Sequence, residues 1–341
     1  MLRRPLAQFA VLALLLLFAN QVLAEDGWTG KLVIVKNPDV VVHYTFADGT
    51  PMQAPMRGVI QQVRSVKDSW LEVGNNGDPA WLSMDDAVLL DKANDYFTDQ
   101  IENDPTNVFA YAYRGVAHAA NGDLQHALED VSTAIQLNPG NPTWLSNRGV
   151  IWNELMEFDR ALEDLNEAIR LNPSFAIGLN NRGLVWTNKD KIDNALADFN
   201  EAIRIDPSYE RAFLHRGNAW SKKKDYERAL ADYKQALRID PKDANAYNQL
   251  AWLLATCPKD ALRDSKKAIA YAKKACELSD WKFGQYIDTL ATAYAANGEF
   301  DQAVKMEQKA LDDTEFVTRN GLEASERFKL FEQKQAYRQK E

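Results

Sequence analysis

Four arginine–aspartate pairs recur along this chain at a fixed separation. In each pair the aspartate follows the arginine by sixteen residues, and successive pairs are 34 residues apart. The pairs are Arg114 and Asp130, Arg148 and Asp164, Arg182 and Asp198, and Arg216 and Asp232. A guanidinium and a carboxylate that face each other form a bidentate contact. Such a row could bind a charged ligand, but its repetition favours four structural ion pairs, in which removal of one member leaves its buried partner unpaired.

Histidine, the residue most often used in acid–base catalysis, follows no catalytic pattern here. None of the four histidines, His43, His118, His126 and His215, shows a metal-ligand spacing. Their positions suggest a packed core residue for His118 and an exposed turn for His126. The chain has no glycine-rich phosphate loop after a strand and no serine in a nucleophile elbow. The sequence therefore predicts a protein that is not an enzyme and that uses no cofactor or metal.

The two cysteines, Cys257 and Cys276, are not expected to form a disulfide. Cys257 is predicted at the end of one helix and Cys276 near the far end of the next. About a dozen helical residues then separate Cys276 from the turn, which corresponds to about 18 Å. The α-carbons of a disulfide lie within about 7 Å of each other. Each thiol is therefore predicted to be free and packed in the core.

The residues above belong to a 34-residue repeat that indicates which elements position them. Three residue types mark its period: Gly115, Gly149, Gly183 and Gly217; Ala127, Ala161, Ala195 and Ala229; and Pro139, Pro173, Pro207 and Pro241. This period is typical of stacked helix–turn–helix units, each of which covers the apolar face of its neighbour. The glycine is expected where two helices cross closely, the alanine on the facing helix, and the proline just past the second helix.

Large apolar residues fall between these markers at helical spacing. Among them Trp152, Trp186 and Trp220 form a stripe that could serve as a ligand platform. Their register places them between the two helices of each unit. We therefore favour a role in the core.

The repeated segments resemble the tetratricopeptide repeat (TPR) family. The clearest copies read YRGVAH…ALEDVSTAIQLNP, NRGVIW…ALEDLNEAIRLNP, NRGLVW…ALADFNEAIRIDP and HRGNAW…ALADYKQALRIDP. The resemblance covers residues 88–318 and implies a mainly α fold, a TPR superhelix of about six helix pairs with capping helices. Residues 85–107 are predicted to form a capping helix and linker, 108–317 the array, and 318–341 a C-terminal capping helix or tail. An insertion near CPKDALRDS is expected to delay the second helix of the fifth pair.

The resemblance also implies a binding groove, because the first helix of each TPR unit lines the concave face. The positions that point into it come two residues before the glycine and one after it, with others a turn away. The residues implied on this basis are Asn147, Asn153, Asn180, Asn181, Asn188, Arg211, His215, Asn218, Lys222, Asn245, Asn248 and Gln249. Asparagine carries both donors and acceptors, so a row of them can pair with the backbone of an extended peptide. A solvated helix face without a ligand is the alternative.

Residues 25–84 follow a different pattern. Runs such as 31–36, 40–45 and 58–64 are β-rich and are separated by turn signals. Their order resembles a small all-β barrel of the bacterial Src-homology-3-like (SH3-like) type. Its aromatic residues could line a groove or pack in the core. They are Tyr44, Phe46, Trp70 and Trp81.

Residues 1–24 have the features of a secretory signal peptide. Arg3 and Arg4 precede a short apolar run, and Val22-Leu23-Ala24 forms a small-residue cleavage site. Cleavage after Ala24 would give an exported periplasmic or secreted protein without a stable membrane span; an uncleaved anchor is the alternative. The formal net charge of −9 opposes binding to nucleic acid or to anionic lipid.

These features predict an exported scaffold that docks an extended peptide or a partner helix in the groove of its repeats. The alternative is a cell-envelope-targeting protein, in which the N-terminal barrel binds peptidoglycan and the repeats act as a spacer. The link between such barrels and the cell wall is an analogy. The predicted partners are thus a protein or peptide, or a cell-wall component.

Overall fold

The computed structural model describes residues 27–29, 31–36, 41–45, 51–55, 60–73 and 80–339. The predicted signal peptide and Phe46 lie outside the described residues, as does the side chain of Tyr44. The chain divides into two compact units, the first ending at Asp206 and the second beginning at Pro207. Among the described residues, none of the helices combines the length and the hydrophobicity that a membrane crossing requires.

The first unit begins with short antiparallel strands. They are β1 (Leu32–Val35), β2 (Val41–Thr45), β3 (Pro51–Pro55), β4 (Ile60–Gln62), β5 (Ser65–Lys67), β6 (Trp70–Val73), β7 (Ala80–Ser83) and β8 (Ala87–Leu89). They form a three-stranded sheet in the order β4-β1-β8 and a five-stranded sheet in the order β3-β2-β7-β6-β5. Two small antiparallel sheets are thus present, whereas the SH3-like barrel stays a prediction.

The neighbouring strands β6 and β7 show why the sequence forms a sheet here. Side chains alternate between the two faces of a strand, and Leu71 lies opposite Leu82 with both fully buried. The tryptophans Trp70 and Trp81 fall on the alternate positions and are half-buried. The leucines therefore supply the core of this sheet, and the tryptophans remain in part accessible.

Fourteen α-helices follow among the described residues. The first unit contains α1 (Leu90–Asn103), α2 (Val108–Ala120), α3 (Leu124–Leu137), α4 (Pro142–Glu154), α5 (Phe158–Leu171), α6 (Ala176–Asn188) and α7 (Ile192–Ile205). The second contains α8 (Glu210–Lys222), α9 (Tyr226–Ile239), α10 (Ala244–Thr256), α11 (Ser265–Leu278), α12 (Gly284–Ala296), α13 (Phe300–Leu311) and α14 (Thr314–Glu332). The helices form consecutive pairs, α2 with α3 through α12 with α13, and within each unit successive pairs pack on one another.

The predicted role of the repeated glycines is confirmed by the packing inside each pair. A Cβ added to Gly183 would lie 2.5 Å from Cε1 of Phe199, and one added to Gly217 would lie 2.6 Å from Cε1 of Tyr233. Both distances are below van der Waals contact, so a side chain would force the two helices apart. In the same pairs Ala195 and Ala229 are fully buried.

One apolar core joins the strands to the first helices. Val33 and Ile34 of β1 belong to the same buried cluster as Phe97 of α1, Tyr113 of α2 and Trp144 of α4. Helix α1 therefore packs on the first helix pair. The strands and the first helices do not have separate cores.

The tryptophan stripe lies at the edge of the core rather than at its centre. Trp152 and Trp186 are half-buried and pack against a cluster that contains Leu165 and Val185. The outer face of Trp152 carries the guanidinium of Arg160, whose carbon lies 4.8 Å from the ring centroid. The core interpretation holds for the inner face of these rings.

The last helices of the second unit depart from the regular repeat. A 3-10 turn, Asp260–Leu262, lies between α10 and α11 and accommodates the predicted insertion. Cys257 and Cys276 are free and buried, and burial raises the pKa of the Cys276 thiol to about 12. Helix α14 packs against α12 and α13.

After α14 the chain returns to α10. We call residues 333–339 the C-terminal strap. The backbone N–H of Gln339 donates to the carbonyl of Thr256 over 3.0 Å, and Nη1 of Arg338 donates to the carbonyl of Ala255 over 3.1 Å. The ring of Tyr337 lies 5.8 Å from that of Trp252, centroid to centroid. The strap therefore caps the end of α10, an arrangement that no repeat pattern predicts.

Candidate binding surface on the first helices

All four predicted arginine–aspartate pairs are present, each within one helix pair. In the second of them, Nε and Nη2 of Arg148 donate to the two carboxylate oxygens of Asp164, both over 2.7 Å. Asp164 is only 7% exposed. The hydrogen bond to Asp164 is the main cause of the raised pKa of Arg148.

In the first unit each arginine also reaches the preceding helix pair or cap. Nη1 of Arg114 donates to Oγ1 of Thr98 over 3.0 Å, and Nη1 of Arg182 donates to Oδ1 of Asn166 over 2.8 Å. Arg148 makes the same kind of contact with Ser132. The guanidinium donors are therefore used inside the fold, which supports a structural role for the pairs.

Four of the predicted groove asparagines form a polar strip between α4 and α6 in the first unit. Nδ2 of Asn188 donates to Oδ1 of Asn153 over 2.9 Å. About two helical turns earlier on α6, Nδ2 of Asn181 donates to Oγ of Ser146 over 3.1 Å. Asn147 lies in the same strip, and its buried Nδ2 has no hydrogen-bond partner among the described residues. All four asparagine side chains are half-buried, so they remain in part accessible.

Two predicted groove residues do not lie on this surface. Asn180 of α6 is 1% exposed and Asn248 of α10 is 2% exposed. Each stands three residues before the glycine position of its repeat, and a helix turns that position toward the neighbouring helix. This corrects the prediction for both residues, because a docked chain could not reach them.

In the second unit, the predicted groove residues on α8 include two charged side chains. Arg211 and Lys222 are exposed. Between them His215 is half-buried. Desolvation together with the charge of Arg211 lowers its pKa to about 3, so the imidazole is neutral. Asn218 accepts a hydrogen bond from Oη of Tyr233 over 2.8 Å.

On the adjacent first helix of that unit, α10, two predicted residues bond to each other. Nε2 of Gln249 donates to Oδ1 of Asn245 over 3.3 Å. Both side chains are half-buried. The amide groups on α8 and α10 therefore use part of their hydrogen-bonding capacity inside the fold.

Two features of the surface were missed by sequence reasoning. Ile177 is 45% exposed and stands four residues before Asn181, so both lie on one face of α6. Trp252 of α10 is covered by the C-terminal strap. The exposed isoleucine was detectable as an apolar residue one turn before the asparagine position, whereas the strap carries no repeat signal.

A buried charged cluster joins the last three helices. Nε of Arg327 on α14 donates to Oδ1 of Asp288 on α12 over 2.7 Å, and both side chains are almost fully buried. Glu307 of α13 is fully buried, and neither of its carboxyl oxygens has a hydrogen-bond partner in the described part of the chain. Burial and the charge of Asp288 raise the pKa of Glu307 to about 10, so this carboxyl is neutral at physiological pH.

Among the described residues, one group of side chains has the composition and spacing of a metal site. His118, Asp123 and His126 bring their ligand atoms within 4.8 Å of one another. The histidines stand at the facing ends of α2 and α3, and sequence reasoning missed them because it compared each histidine with known motifs only.

Comparison with protein families gives one consistent result. Models of the tetratricopeptide repeat match residues 108–141, 155–210, 210–243, 232–270 and 285–315. Together these stretches cover more than half of the chain. None of the curated proteins compared with the chain matches it.

Solved structures show the same fold. A tetratricopeptide repeat protein from Parabacteroides merdae matches with a TM-score of 0.53 and 22% identity, over 71% of this chain and 92% of that one. A chain of the APC/C hetero-tetramer Cut9-Hcn1 matches with a TM-score of 0.62 and 15% identity, over 71% of this chain and 46% of that one. At these identities the likeness concerns the fold alone.

Proposed function

Because the chain belongs to the tetratricopeptide repeat family, we propose that it is a non-enzymatic scaffold that docks an extended peptide on the first helices of its repeats. The observation that carries this proposal is the polar strip of Asn147, Asn153, Asn181 and Asn188 between α4 and α6. Each amide has two donors and an acceptor with two lone pairs. The hydrogen bonds inside the strip use Nδ2 of Asn181, Nδ2 of Asn188 and Oδ1 of Asn153 and orient these side chains. The remaining accessible donors and acceptors of the strip can meet a peptide backbone.

The exposed Ile177 completes the proposed surface. Backbone hydrogen bonding holds an extended peptide whatever its sequence, whereas an apolar contact adds affinity through burial. Ile177 lies beside Asn181 on the accessible face of α6 and can pack against one apolar side chain of the peptide. The docked segment should therefore be extended and uncharged at that position.

A displayed peptide library tests the proposal with the full chain. We expect selected peptides to bind wild type, and each of Asn147→Ala and Asn181→Ala to weaken binding about fivefold, the effect of ~1 kcal/mol per lost hydrogen bond. Asn194→Ala is the matched control, because Asn194 is an exposed asparagine on the second helix α7. Equal binding by all three variants, or a library that yields no binder, would contradict the proposal.

We further propose that the protein is exported to the periplasm or beyond, with its leader removed after Ala24. Support comes from the two arginines, the short apolar run and the small-residue site within residues 1–24. The intact mass of the protein recovered from the cell envelope should match a chain that begins at Glu25. A mass that includes residues 1–24 would instead indicate a retained anchor.

A second candidate function is binding of peptidoglycan by the N-terminal sheets. Its supporting observation is that Trp70 and Trp81 are half-buried on the face opposite to the leucine core. Since the strands share one core with the first helices, the test must use point variants of the full chain rather than separate halves. Cosedimentation with purified peptidoglycan that is lost in Trp81→Ala and kept in Asn181→Ala would favour this function.

A further inference from the structure

The end of the first helix pair differs from the corresponding ends of the other regular pairs. In the second and fourth pairs this end carries a tryptophan on the first helix and an arginine on the second, and the guanidinium lies over the indole ring. The carbon of Arg160 lies 4.8 Å from the centroid of Trp152, and that of Arg228 lies 4.4 Å from Trp220. In the first pair the same two positions are His118 and His126. A contact that needs no metal has thus been replaced by two metal-ligating side chains.

A carboxylate lies between the two imidazoles. Oδ2 of Asp123 is 2.6 Å from Nδ1 of His126 and 3.5 Å from Nδ1 of His118. The other oxygen of Asp123 caps helix α3 by accepting from the backbone N–H of His126 over 3.3 Å. The cap fixes the orientation of the carboxylate and leaves Oδ2 directed at both rings. Two histidine nitrogens and one carboxylate oxygen therefore converge on one point.

We propose that His118, Asp123 and His126 form a binding site for a divalent transition-metal ion, with Zn²⁺ as the ion best suited to the ligands. Imidazole nitrogen and carboxylate oxygen are common Zn²⁺ ligands at about 2.0–2.2 Å, which places tetrahedral ligands about 3.3 Å apart. The distance of 3.5 Å between His118 and Asp123 already matches that value. The distance of 2.6 Å between His126 and Asp123 must lengthen by about 0.7 Å to reach the same value, and the side chain of His126 has room to move because it is 62% exposed.

The surroundings favour a bound cation. Carboxylates of Asp130 and Glu129 also face the site: Oδ2 of Asp130 lies 3.9 Å from Nε2 of His118, and the charge of Glu129 acts on His126. The guanidinium of Arg114 is held by Asp130, through hydrogen bonds of 2.8 Å and 2.7 Å. At 3.9 Å Asp130 acts on the His118 ring through its charge rather than through a hydrogen bond.

A buried acceptor also points to a ligand at this place. Nδ2 of Asn94 on α1 lies 3.5 Å from Nδ1 of His118. The oxygen of the same amide is buried and has no hydrogen-bond partner among the described residues. A water molecule on the remaining coordination position of the ion could donate to it. Three protein ligands and an open position would make this an exchangeable site at the turn of the repeat.

The alternative is a stacking contact without a metal. The two imidazole rings lie 5.3 Å apart with an interplanar angle of 30°. The hydrogen bond to Asp123 raises the pKa of His126, so a protonated His126 could rest on the His118 ring as the arginines rest on the tryptophans. The two interpretations differ in whether Zn²⁺ binds.

Titration of the full chain, without a histidine tag, with Zn²⁺ at pH 7.5 tests the proposal. Calorimetry should show one Zn²⁺ per chain, and excess Zn²⁺ should raise the Tm by several degrees because the ion binds only the folded state. Asp123→Ser keeps a helix-capping oxygen but removes the carboxylate, and should weaken Zn²⁺ binding at least about tenfold.

The double variant H118W/H126R rebuilds the tryptophan–arginine pair that the second and fourth helix pairs carry. It should fold with an unchanged Tm in the absence of metal and lose the Zn²⁺ response. His215→Gln, a substitution far along the chain, should retain that response. If Zn²⁺ leaves the Tm of the wild-type chain unchanged, the histidines only stack. If the double variant binds Zn²⁺ as tightly as the wild type, any site lies elsewhere.

Discussion

In the repeated ion pairs, each buried carboxylate is paired with a guanidinium. Arg148 makes two hydrogen bonds to Asp164, and the arginine stays 25% exposed while the aspartate side chain is 9% exposed. The carboxylate therefore depends on its partner more than the guanidinium does. A buried charge left without its partner is strongly unfavourable.

We expect Arg148→Met to lower the free energy of unfolding by about 1.5–3 kcal/mol, the range for hydrogen bonds to a charged group. The double variant R148M/D164L should be more stable than Arg148→Met, since it removes the stranded carboxylate together with its partner. Urea unfolding of the wild type, both single variants and the double variant measures the coupling. Additive effects of the two substitutions would contradict the ion-pair interpretation.

The second residue-scale prediction concerns Glu307. The guanidinium of Arg327 is the cation beside two buried carboxyl groups, Asp288 and Glu307. Because Arg327 donates its hydrogen bond to Asp288, Glu307 has no such partner and keeps its proton. The pKa of Glu307 is raised from its usual 4.5 to about 10. Between these values the folded chain holds a proton that the unfolded chain has lost, so stability falls as pH rises through this window.

Glu307→Gln should remove this dependence. The variant is expected to gain stability relative to wild type at pH 8 and to gain less at pH 5, because only the wild type must retain the proton. Glu326→Gln is the control, since Glu326 is an exposed carboxyl on α14. Thermal unfolding of the three proteins at both pH values provides the comparison. A gain that is the same at pH 5 and pH 8 would mean that Glu307 is ionised in the fold.

At the scale of the elements, the turns inside the helix pairs store backbone strain. In each of the first four pairs, the residue after the C-cap of the first helix has a positive φ. It is Gly122 in the first pair, and Met156, Asp190 and Lys224 in the next three. The left-handed conformation costs a residue with a side chain about 1–2 kcal/mol. Among these four pairs, the first alone has glycine, which avoids this strain; the α12–α13 pair also has a glycine there, Gly298.

Lys224→Gly should therefore stabilise the protein, by about 0.5–1 kcal/mol once the greater freedom of glycine in the unfolded chain is subtracted. Lys223→Gly is the matched control: Lys223 is equally exposed and has φ −79°, so glycine relieves no strain there and should be neutral or destabilising. Chemical denaturation compares the two. A lower stability for Lys224→Gly than for Lys223→Gly would refute the strain argument.

The elements also show how far the sequence determines the fold. The period predicted the helix pairs, the close glycines and the four ion pairs, because each depends on contacts within one repeat. It did not predict the interior position of Asn180 and Asn248, which depends on the neighbouring helix. The cluster of Asp288, Glu307 and Arg327 was also missed, since it joins three helices whose repeats are the least regular.

At the scale of the whole molecule, the last helix closes the exposed end of the second unit. Phe331 of α14 is fully buried in a cluster with Ala291, Ala295 and Ala303. Terminal repeats need a covering element with a polar outer face. Helix α14 provides it, and the strap adds the caps on α10.

We expect truncation after Leu311 to lower the Tm and to cause self-association. It exposes the alanine-rich face that Phe331 covers, and it leaves Asp288 without the guanidinium of Arg327. Truncation after Lys334 is the matched control, because it removes most of the strap and keeps α14. That shorter deletion should leave a monomer with a small loss of stability and a more accessible Trp252, detected by fluorescence quenching.

Light scattering after size exclusion, together with thermal unfolding, distinguishes the two truncations. If the chain ending at Leu311 were monomeric and as heat-resistant as the wild type, α14 would be dispensable, and the apolar end of α12 and α13 would have to be soluble by itself. The buried area argues against that outcome, because burial of one phenylalanine contributes about 1.5–3 kcal/mol. Helix α14 also supplies Arg327 for the buried ion pair with Asp288.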